Sequence, residues 1–329
     1  MLRVNRAVVG LMGCVLLAGC GTTRNTPPQA QVASDTPVRR SHGEVRESLR
    51  TTAKETLQTA ATSRDPLIRM HALEAIKDSM GAAGAKEILA ALRDPEPTVR
   101  FAAAMAAGEL RLVHAMPTLQ KLLKNDQNPH VQMGVVFAMH RLGETQYSVK
   151  LEEALKSRQP DVRADAAFVL GRLGEKSAVK ILRPALRDAA VETRLQAAEA
   201  MWRLGDEEGL KYLVASSISG HPAHQMVGIL GLAGPRDTNV IEHVRTGLNS
   251  DYIEVALVSA RALGLLGSDE AYAKAVEATR STDIRQRYLA ALALGAIARA
   301  DAQDVLEPML NDAEADVRVA AAAAILELR

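Results

Sequence analysis

The chain has 329 residues but only two cysteines, three phenylalanines, five tyrosines and one tryptophan. Both cysteines, Cys14 and Cys20, fall in the first twenty residues. Beyond Cys20 there is no disulfide and no cysteine nucleophile, so the domain must be held by packing alone. Aromatics make up 3% of the sequence, too few for a base-stacking surface. The net charge is +1, which supplies no field to attract nucleic acid. No Gly-x-Ser-x-Gly, phosphate-cradling glycine loop or His-Glu dipeptide occurs. No useful stretch alternates with period two, which excludes a sheet.

What the sequence has is a beat. Stepping by 31 residues, once by 32, lands on Arg69, Arg100, Gln132, Arg163, Arg194, Gln225, Ala256, Arg287 and Arg318. Glycines fall on the same beat at Gly143, Gly174, Gly205 and Gly267. A fixed period of this length signals a repeat array. The clearest unit is PDVRADAAFVLGRLG at 160–174. A polar turn, often Asp or Asn before Pro, begins a helix, because the side chain caps it and Pro suits its first turn. Val162, Ala166, Val169, Leu170 and Leu173 then form a helical stripe in which Asp165 is an exception, and Gly174 ends it. A second amphipathic helix, such as 177–187, precedes the next turn. Helices carrying the repeated Arg are expected near 67–79, 98–111, 130–142, 161–173, 192–204, 223–233, 252–266, 284–298 and 315–328. Their partners are expected near 44–62, 84–92, 115–124, 146–157, 177–187, 207–218, 239–248, 270–280 and 302–310.

PDVRADAAFVLGRLG at 160–174, PTVRFAAAMAAGEL at 97–110 and ADVRVAAAAAILEL at 315–328 resemble the HEAT-repeat family, in particular the short bacterial repeats related to phycobilin-lyase repeats. The resemblance covers roughly 44–329. It implies an all-α, right-handed α-solenoid of about nine helix pairs. Its functional content is low, because such repeats serve unrelated roles. Some enzymes with this fold hold iron through repeated His-Glu pairs, which this chain lacks.

The first residues read MLRVNRAVVGLMGCVLLAGC. Arg3 and Arg6 form a basic start, 7–17 a short apolar core, and Leu17-Ala18-Gly19-Cys20 a small-residue cleavage site. The apolar run is too short to span a bilayer. It looks like a bacterial lipoprotein signal, in which residues 1–19 are removed and Cys20 becomes the acylated first residue. By resemblance to enterobacterial sorting, Gly21 rather than Asp after the Cys favours the outer membrane, facing the periplasm. Residues 20–43 read as a polar tether and 44–329 as the repeat domain. Ser41-x-x-Glu44 is a capping-box pattern for the first helix, expected to be a polar solenoid cap carrying Val45, Leu49, Ala53 and Leu57 on one stripe.

The repeated arginines Arg69, Arg100, Arg163, Arg194, Arg287 and Arg318 sit where a cation opposes the helix dipole, so each needs a compensating partner. A ladder of Arg–carboxylate bonds between neighbouring repeats is expected, with Asp65, Asp94, Glu96, Asp161, Glu192, Asp283 and Asp316 within reach. Gln132, Gln225 and Ala256 would break it and loosen their repeats. His221-x-x-His224 with Glu242 and His243 could hold a metal only if the groups converged. The glycine and proline around them suit a cap instead, and Trp202 reads as packing. No catalytic residue, metal or cofactor is assigned.

On a 100° helical wheel with Val99, Val131 and Val162 at 0°, the positions two and six residues later point away from the core stripe. They read Met70, Phe101, Met133, Ala164, Leu195, Met226, Leu257, Tyr288, Val319 and Glu74, Met105, Phe137, Phe168, Glu199, Leu230, Arg261, Leu292, Ala323. All three Phe lie here, beside a row of Arg141, Arg172 and Arg203. Phe101, Met105, Met133, Phe137, Phe168 and the three arginines are therefore expected to form an exposed concave groove for a protein or peptide. Burial of the same side chains by tight curvature is the competing reading. The last helix, 315–329, lacks a polar closing partner and is expected to dock a partner or a second copy. These features favour a membrane-anchored protein-binding scaffold. A lyase-like or metal-dependent enzyme, or a structural subunit of an envelope complex, is the alternative.

Overall fold

The computed structural model describes residues 45–329, and those residues contain no strand. The lipobox, the tether and the capping-box pattern at 41–44 lie outside the described residues. Nine helix pairs follow in order. The odd-numbered helices are α1 (Glu47–Ala60), α3 (Ala85–Ala91), α5 (Met116–Asn125), α7 (Val149–Ala154), α9 (Val179–Leu182), α11 (Glu207–Ser217), α13 (Ile241–Arg245), α15 (Tyr272–Ala278) and α17 (Gln303–Leu306). The even-numbered helices carry the repeated Arg: α2 (Pro66–Met80), α4 (Pro97–Glu109), α6 (Pro129–Arg141), α8 (Pro160–Leu173), α10 (Val191–Arg203), α12 (Pro222–Ala233), α14 (Ile253–Leu265), α16 (Ile284–Ile297) and α18 (Ala315–Glu327). Most even helices start as their sequences dictate. The carboxylates of Asp65 and Asp283 and the Asn128 amide oxygen accept the first free backbone N–H groups, and five of these helices have Pro in the first turn. Gly174, at φ 82°, closes α8 in the left-handed conformation expected of it.

Most odd helices are shorter than their periodicity predicts. The element expected over 177–187 divides into a 3-10 turn, the four residues of α9, and a second 3-10 segment, Arg183–Arg187. That over 302–310 divides in the same way around Pro308. Pro184 and Pro308 each remove a backbone donor and crowd the preceding turn, so the α-helical ladder ends there.

The array closes on itself. The even helices form the inner layer, and α18 packs against both α1 and α2 as one repeat packs on the next. Helix α1 buries Leu49, Ala53 and Leu57, the predicted stripe, but as the bridge across this seam rather than as a free cap. The Arg50 guanidinium donates to the Leu326 and Leu328 carbonyls at the end of α18, at 3.3 and 2.8 Å. Arg46 donates to Gln303 Oε1 and to Glu307 at 2.8 Å, and His71 of α2 bonds Asp316 of α18 at 2.8 Å. The expectation that 315–329 leaves an apolar side for another molecule is therefore corrected. Val317, Val319, Ala320, Ala321, Ala322, Ala324, Ile325 and Leu328 are all buried, and the chain's own first helices cover them.

The expected groove is buried as well. Phe101 and Phe137 are 0% and 1% exposed, Met105 and Met133 1% and 3%, and Phe168 8%. These five residues are core, and the reading of them as an exposed peptide groove is wrong. The physical reason is local. A Cβ added to Gly134 of α6 would stand 2.9 Å from the Phe101 ring, and one added to Gly108 of α4 would stand 2.9 Å from the Phe137 ring. Each phenylalanine thus fills the space that the other helix's glycine leaves open. The layer two positions after the stripe, from Met70 round to Val319, is buried in every repeat and plugs the middle of the ring.

Candidate functional site

The repeated arginines form the ladder, with a partner that periodicity alone did not single out. Arg69 bonds Asp94 through both Nε and Nη2, each at 2.7 Å. Arg163 bonds Asp188 in the same way, also at 2.7 Å, and Arg287 bonds Asp312 at 2.8 and 3.0 Å. Arg100 reaches Asp126 at 2.7 Å. In each case the acceptor lies 25 or 26 residues later, in the turn that opens the next even helix. The same Asp accepts the backbone N–H two residues on, so one carboxylate orders the turn and ties two repeats. The guanidinium holds Asp188 and Asp312 below the usual carboxylate range. Of the turn carboxylates expected to take part, only Asp94 does so in this way. Where the next turn carries Ser instead, as at Ser157, Ser219, Ser250 and Ser281, the repeat's own residue is Gln132, Arg194, Gln225 or Ala256. Arg194 then turns to the Tyr212 hydroxyl at 2.9 Å, and Gln132 donates to three backbone carbonyls, which keeps its turn bound rather than loose. Arg318 binds only the carbonyls of Asp312 and Ala313 among the described residues. The ladder is structural.

The ring has a concave surface, a bowl of about 540 Å³ lined by residues of the even helices other than α6. Its floor includes His71, Val258, Tyr288 and Val319, and its wall Glu74, Phe168, Glu199, Leu230, Arg261, Leu292 and Ala323. Lys77, Asp78, Glu109, Arg172, Arg203, Arg236 and Glu327 stand around the mouth. One half is a chain of ion pairs. Lys77 Nζ lies 2.9 Å from Asp78 and 2.8 Å from Glu109, and Arg172 closes on Glu109 from the opposite side. Arg203 bonds Glu199 at 3.1 Å and the Gly234 carbonyl at 3.2 Å. Burial opposes ionisation of Glu109, but Lys77 and Arg172 outweigh it and hold the carboxyl below its ordinary value. The other half is built of Leu230, Ala233, Val258, Leu292, Ala296 and Ala323.

Of the predicted arginine row, Arg172 and Arg203 meet at this mouth, but in ion pairs. Arg141 does not line the bowl, and its buried Nε has no hydrogen bond among the described residues. Glu74 belongs to the row six positions after the stripe. Its Oε1 is buried without a partner among the described residues, and burial pushes the carboxyl up to about 7 against the pull of His71, Lys77 and Arg261. Arg261 also lines the bowl with neither ion pair nor hydrogen bond among the described residues.

Other polar residues are accounted for by packing. Asp165, the exception in the apolar stripe, is fully buried and bonded by His130 Nδ1 at 2.6 Å across α6 and α8. The spacing of the two residues held a signal, since 35 residues place them on facing turns of adjacent inner helices. Trp202 donates its indole N–H to the Leu232 carbonyl at 3.0 Å. His221 and His224 stack with ring centroids 4.5 Å apart. Burial and the neighbouring His221 hold His224 below its ordinary value. No group of three or more His, Cys, Asp or Glu that could hold a metal occurs among the described residues.

A family model described as HEAT repeats matches residues 85–159, 148–223 and 241–327, well over half of the chain. Among solved structures, the chain is similar to the complex of CpcE and CpcF of phycocyanin lyase from Nostoc sp. PCC7120, with 17% identity, a TM-score of 0.43 and coverage of 81% of this chain and 98% of that one. It is also similar to human deoxyhypusine hydroxylase in complex with glycerol, with 18% identity, a TM-score of 0.37 and coverage of 84% and 96%. Kap121p, in a mutant form, matches at 15% identity and a TM-score of 0.37, over 88% of this chain and 37% of that one. No curated protein matches the chain by sequence.

Proposed function

The chain belongs to the HEAT-repeat family, and from that premise we propose that it is a lipid-anchored scaffold of the bacterial envelope that holds a protein partner at the mouth of its ring. Anchoring rests on LAGC at 17–20 and the polar stretch that follows, with Cys20 the acylated residue. The absence of any thiol after Cys20 is compatible with an exported domain stabilised by repeat stacking. Gly21 favours the outer membrane and a periplasmic orientation.

One observation carries the binding role. The bowl mouth is a concave surface ringed by charges of both signs, including the exposed Arg236 and Glu327. Complementary charge at such a rim selects partners and orients them. The partner surface is thus the mouth rather than the phenylalanine face.

Two variants test this reading. Cys20→Ser should abolish membrane association in fractionated cells, and wild-type processing and membrane binding of that variant would refute the anchor. In the anchored protein, Arg236→Glu with Glu327→Lys should release cross-linked partners without lowering thermal stability. Unchanged cross-linking would refute the mouth as the docking surface.

A further inference from the structure

The bowl contains polar groups that the fold leaves unused, three of which stand on α14, α16 and α2. Among the described residues, Arg261 on α14 has no acceptor, Tyr288 on α16 has no hydrogen-bonding partner, and Glu74 Oε1 on α2 has no donor. Arg261 and Glu74 feel each other's charge but form no ion pair, and Tyr288 feels both. Around them Lys77 is engaged with Asp78, Glu109 with Lys77 and Arg172, and Glu199 with Arg203. His71 bonds Asp316 through Nδ1 and keeps a buried Nε2 without a partner among the described residues, and Arg236 and Glu327 stand at the exposed rim. Of the three groups Glu74 Oε1 is buried and unmet, which is costly, whereas the Arg261 and Tyr288 donors are open to the cavity. A carboxylate and a guanidinium held apart in one cavity mark a place where a bridging group belongs.

The chemistry of the bridge follows from the two ends. Arg261 and the Tyr288 hydroxyl offer donors to an anionic oxygen group, best met by a carboxylate. Glu74 offers acceptors to a cation. A simple carboxylic acid would leave Glu74 unmet, and a simple amine would leave Arg261 unmet. The adjoining wall of Leu230, Val258, Leu292 and Ala323 is apolar. At about 540 Å³ the bowl lies within the range of small-molecule sites and exceeds what a charged head group alone would fill.

We propose that the bowl binds a free α-amino acid with a bulky apolar side chain, its carboxylate on Arg261 and the Tyr288 hydroxyl, its ammonium on Glu74 and its side chain on the Leu230–Leu292 wall. This site is separate from the partner-holding role of the mouth, and neither requires the other.

Isothermal titration calorimetry on the purified full-length protein tests it with L-tryptophan, L-leucine, N-acetyl-L-leucine and L-leucinamide. Free tryptophan or leucine should bind, and blocking either the amino or the carboxyl group should weaken leucine at least tenfold. Arg261→Met and Glu74→Gln should each cost at least tenfold, and Tyr288→Phe, which keeps the ring, severalfold. Thermal melts of each variant establish that the fold is retained. The proposal is overturned if neither free amino acid binds at millimolar concentration. It is equally overturned if N-acetyl-leucine or leucinamide binds as well as leucine, or if folded Tyr288→Phe and Glu74→Gln variants bind like wild type.

Discussion

Two kinds of junction make up the inner ring. At α4–α6, α8–α10, α14–α16 and α16–α18 the first helix carries Gly eight positions after its repeated residue: Gly108, Gly171, Gly264 and Gly295. A Cβ at these glycines would stand 2.6 to 2.8 Å from backbone atoms of the next inner helix, so those helices meet nearly backbone to backbone. At α2–α4, α6–α8, α10–α12, α12–α14 and the seam α18–α2 the same position holds Lys77, His140, Trp202, Ala233 and Leu326, and the contact between the inner helices is less extensive. Lys77 ties α2 to Glu109 of α4, His140 reaches Glu175 past the end of α8, and Trp202 reaches the Leu232 carbonyl of α12. Glycine draws the helices together, and larger side chains hold them apart. The difference teaches that the curvature needed to close the ring is shared among junctions of two types rather than spread evenly.

The largest effect is expected where the tight type is densest. Phe137→Ser at α4–α6 should cost ~3 kcal/mol or more in urea unfolding, because it opens a cavity and buries a hydroxyl. A loss under about 1 kcal/mol would return Phe137 to an exposed face. Gly171→Ala should cost about 1–3 kcal/mol by overpacking against Ala200. His140→Ala, at the equivalent position of a splayed junction, should cost no more than about 1 kcal/mol, since its ion partner Glu175 is largely exposed. Equal losses would break the distinction between junctions. Arg163→Ala leaves Asp188 half-buried and unpaired, for about 1–3 kcal/mol. Arg163→Gln should cost less, because Gln132 shows that an amide can keep the carbonyl bonds.

The pH dependence of stability reads three raised groups, one of them at the seam. Burial works against a charged His71, but its bond to Asp316 outweighs this and raises it above its ordinary 6.5. His130 is raised in the same way by Asp165. Glu74 is raised from 4.5 to about 7 by burial. A raised group contributes fully below its unfolded value, and the contribution is lost as pH climbs through the folded one. For Glu74 that window runs from 4.5 to about 7, and for the histidines it lies above 6.5. All three signs agree, so stability should decline from about pH 5 to about pH 8, with His224, held below 6.5, opposing the decline only on its acidic side. Glu74→Gln should flatten the acidic part of this decline and raise the melting temperature at the alkaline end. A flat wild-type profile would contradict the assignment.

The repeat count, the limits of the even helices and the ladder arginines were legible, because each depends on residues within one repeat and its neighbour. The Arg acceptors other than Asp94 were misassigned to the residues nearest each Arg in sequence, although Asp at 94, 126, 188 and 312 and Ser at 157, 219, 250 and 281 mark which turns can accept the bond. The phenylalanine face was misread because its exposure depends on Gly108 and Gly134 across a junction, and a wheel drawn on one helix cannot show them. Closure was not legible in any single repeat. It is the accumulated angle of nine junctions, and the contacts that secure it pair residues more than 240 positions apart, His71 with Asp316 and Arg46 with Glu307.

The central claim is that the array is a closed ring, and a distance across the seam tests it most directly. Spin labels at Glu47→Cys and Asp304→Cys, in a background with Cys14 and Cys20 replaced by Ser, flank the Arg46–Glu307 bond. Double electron–electron resonance should give one narrow distribution at the short end of the method's range, which broadens when Arg46, Arg50 and His71 are replaced together. A long, broad distribution in the protein with those three residues intact would show an open solenoid and contradict the account.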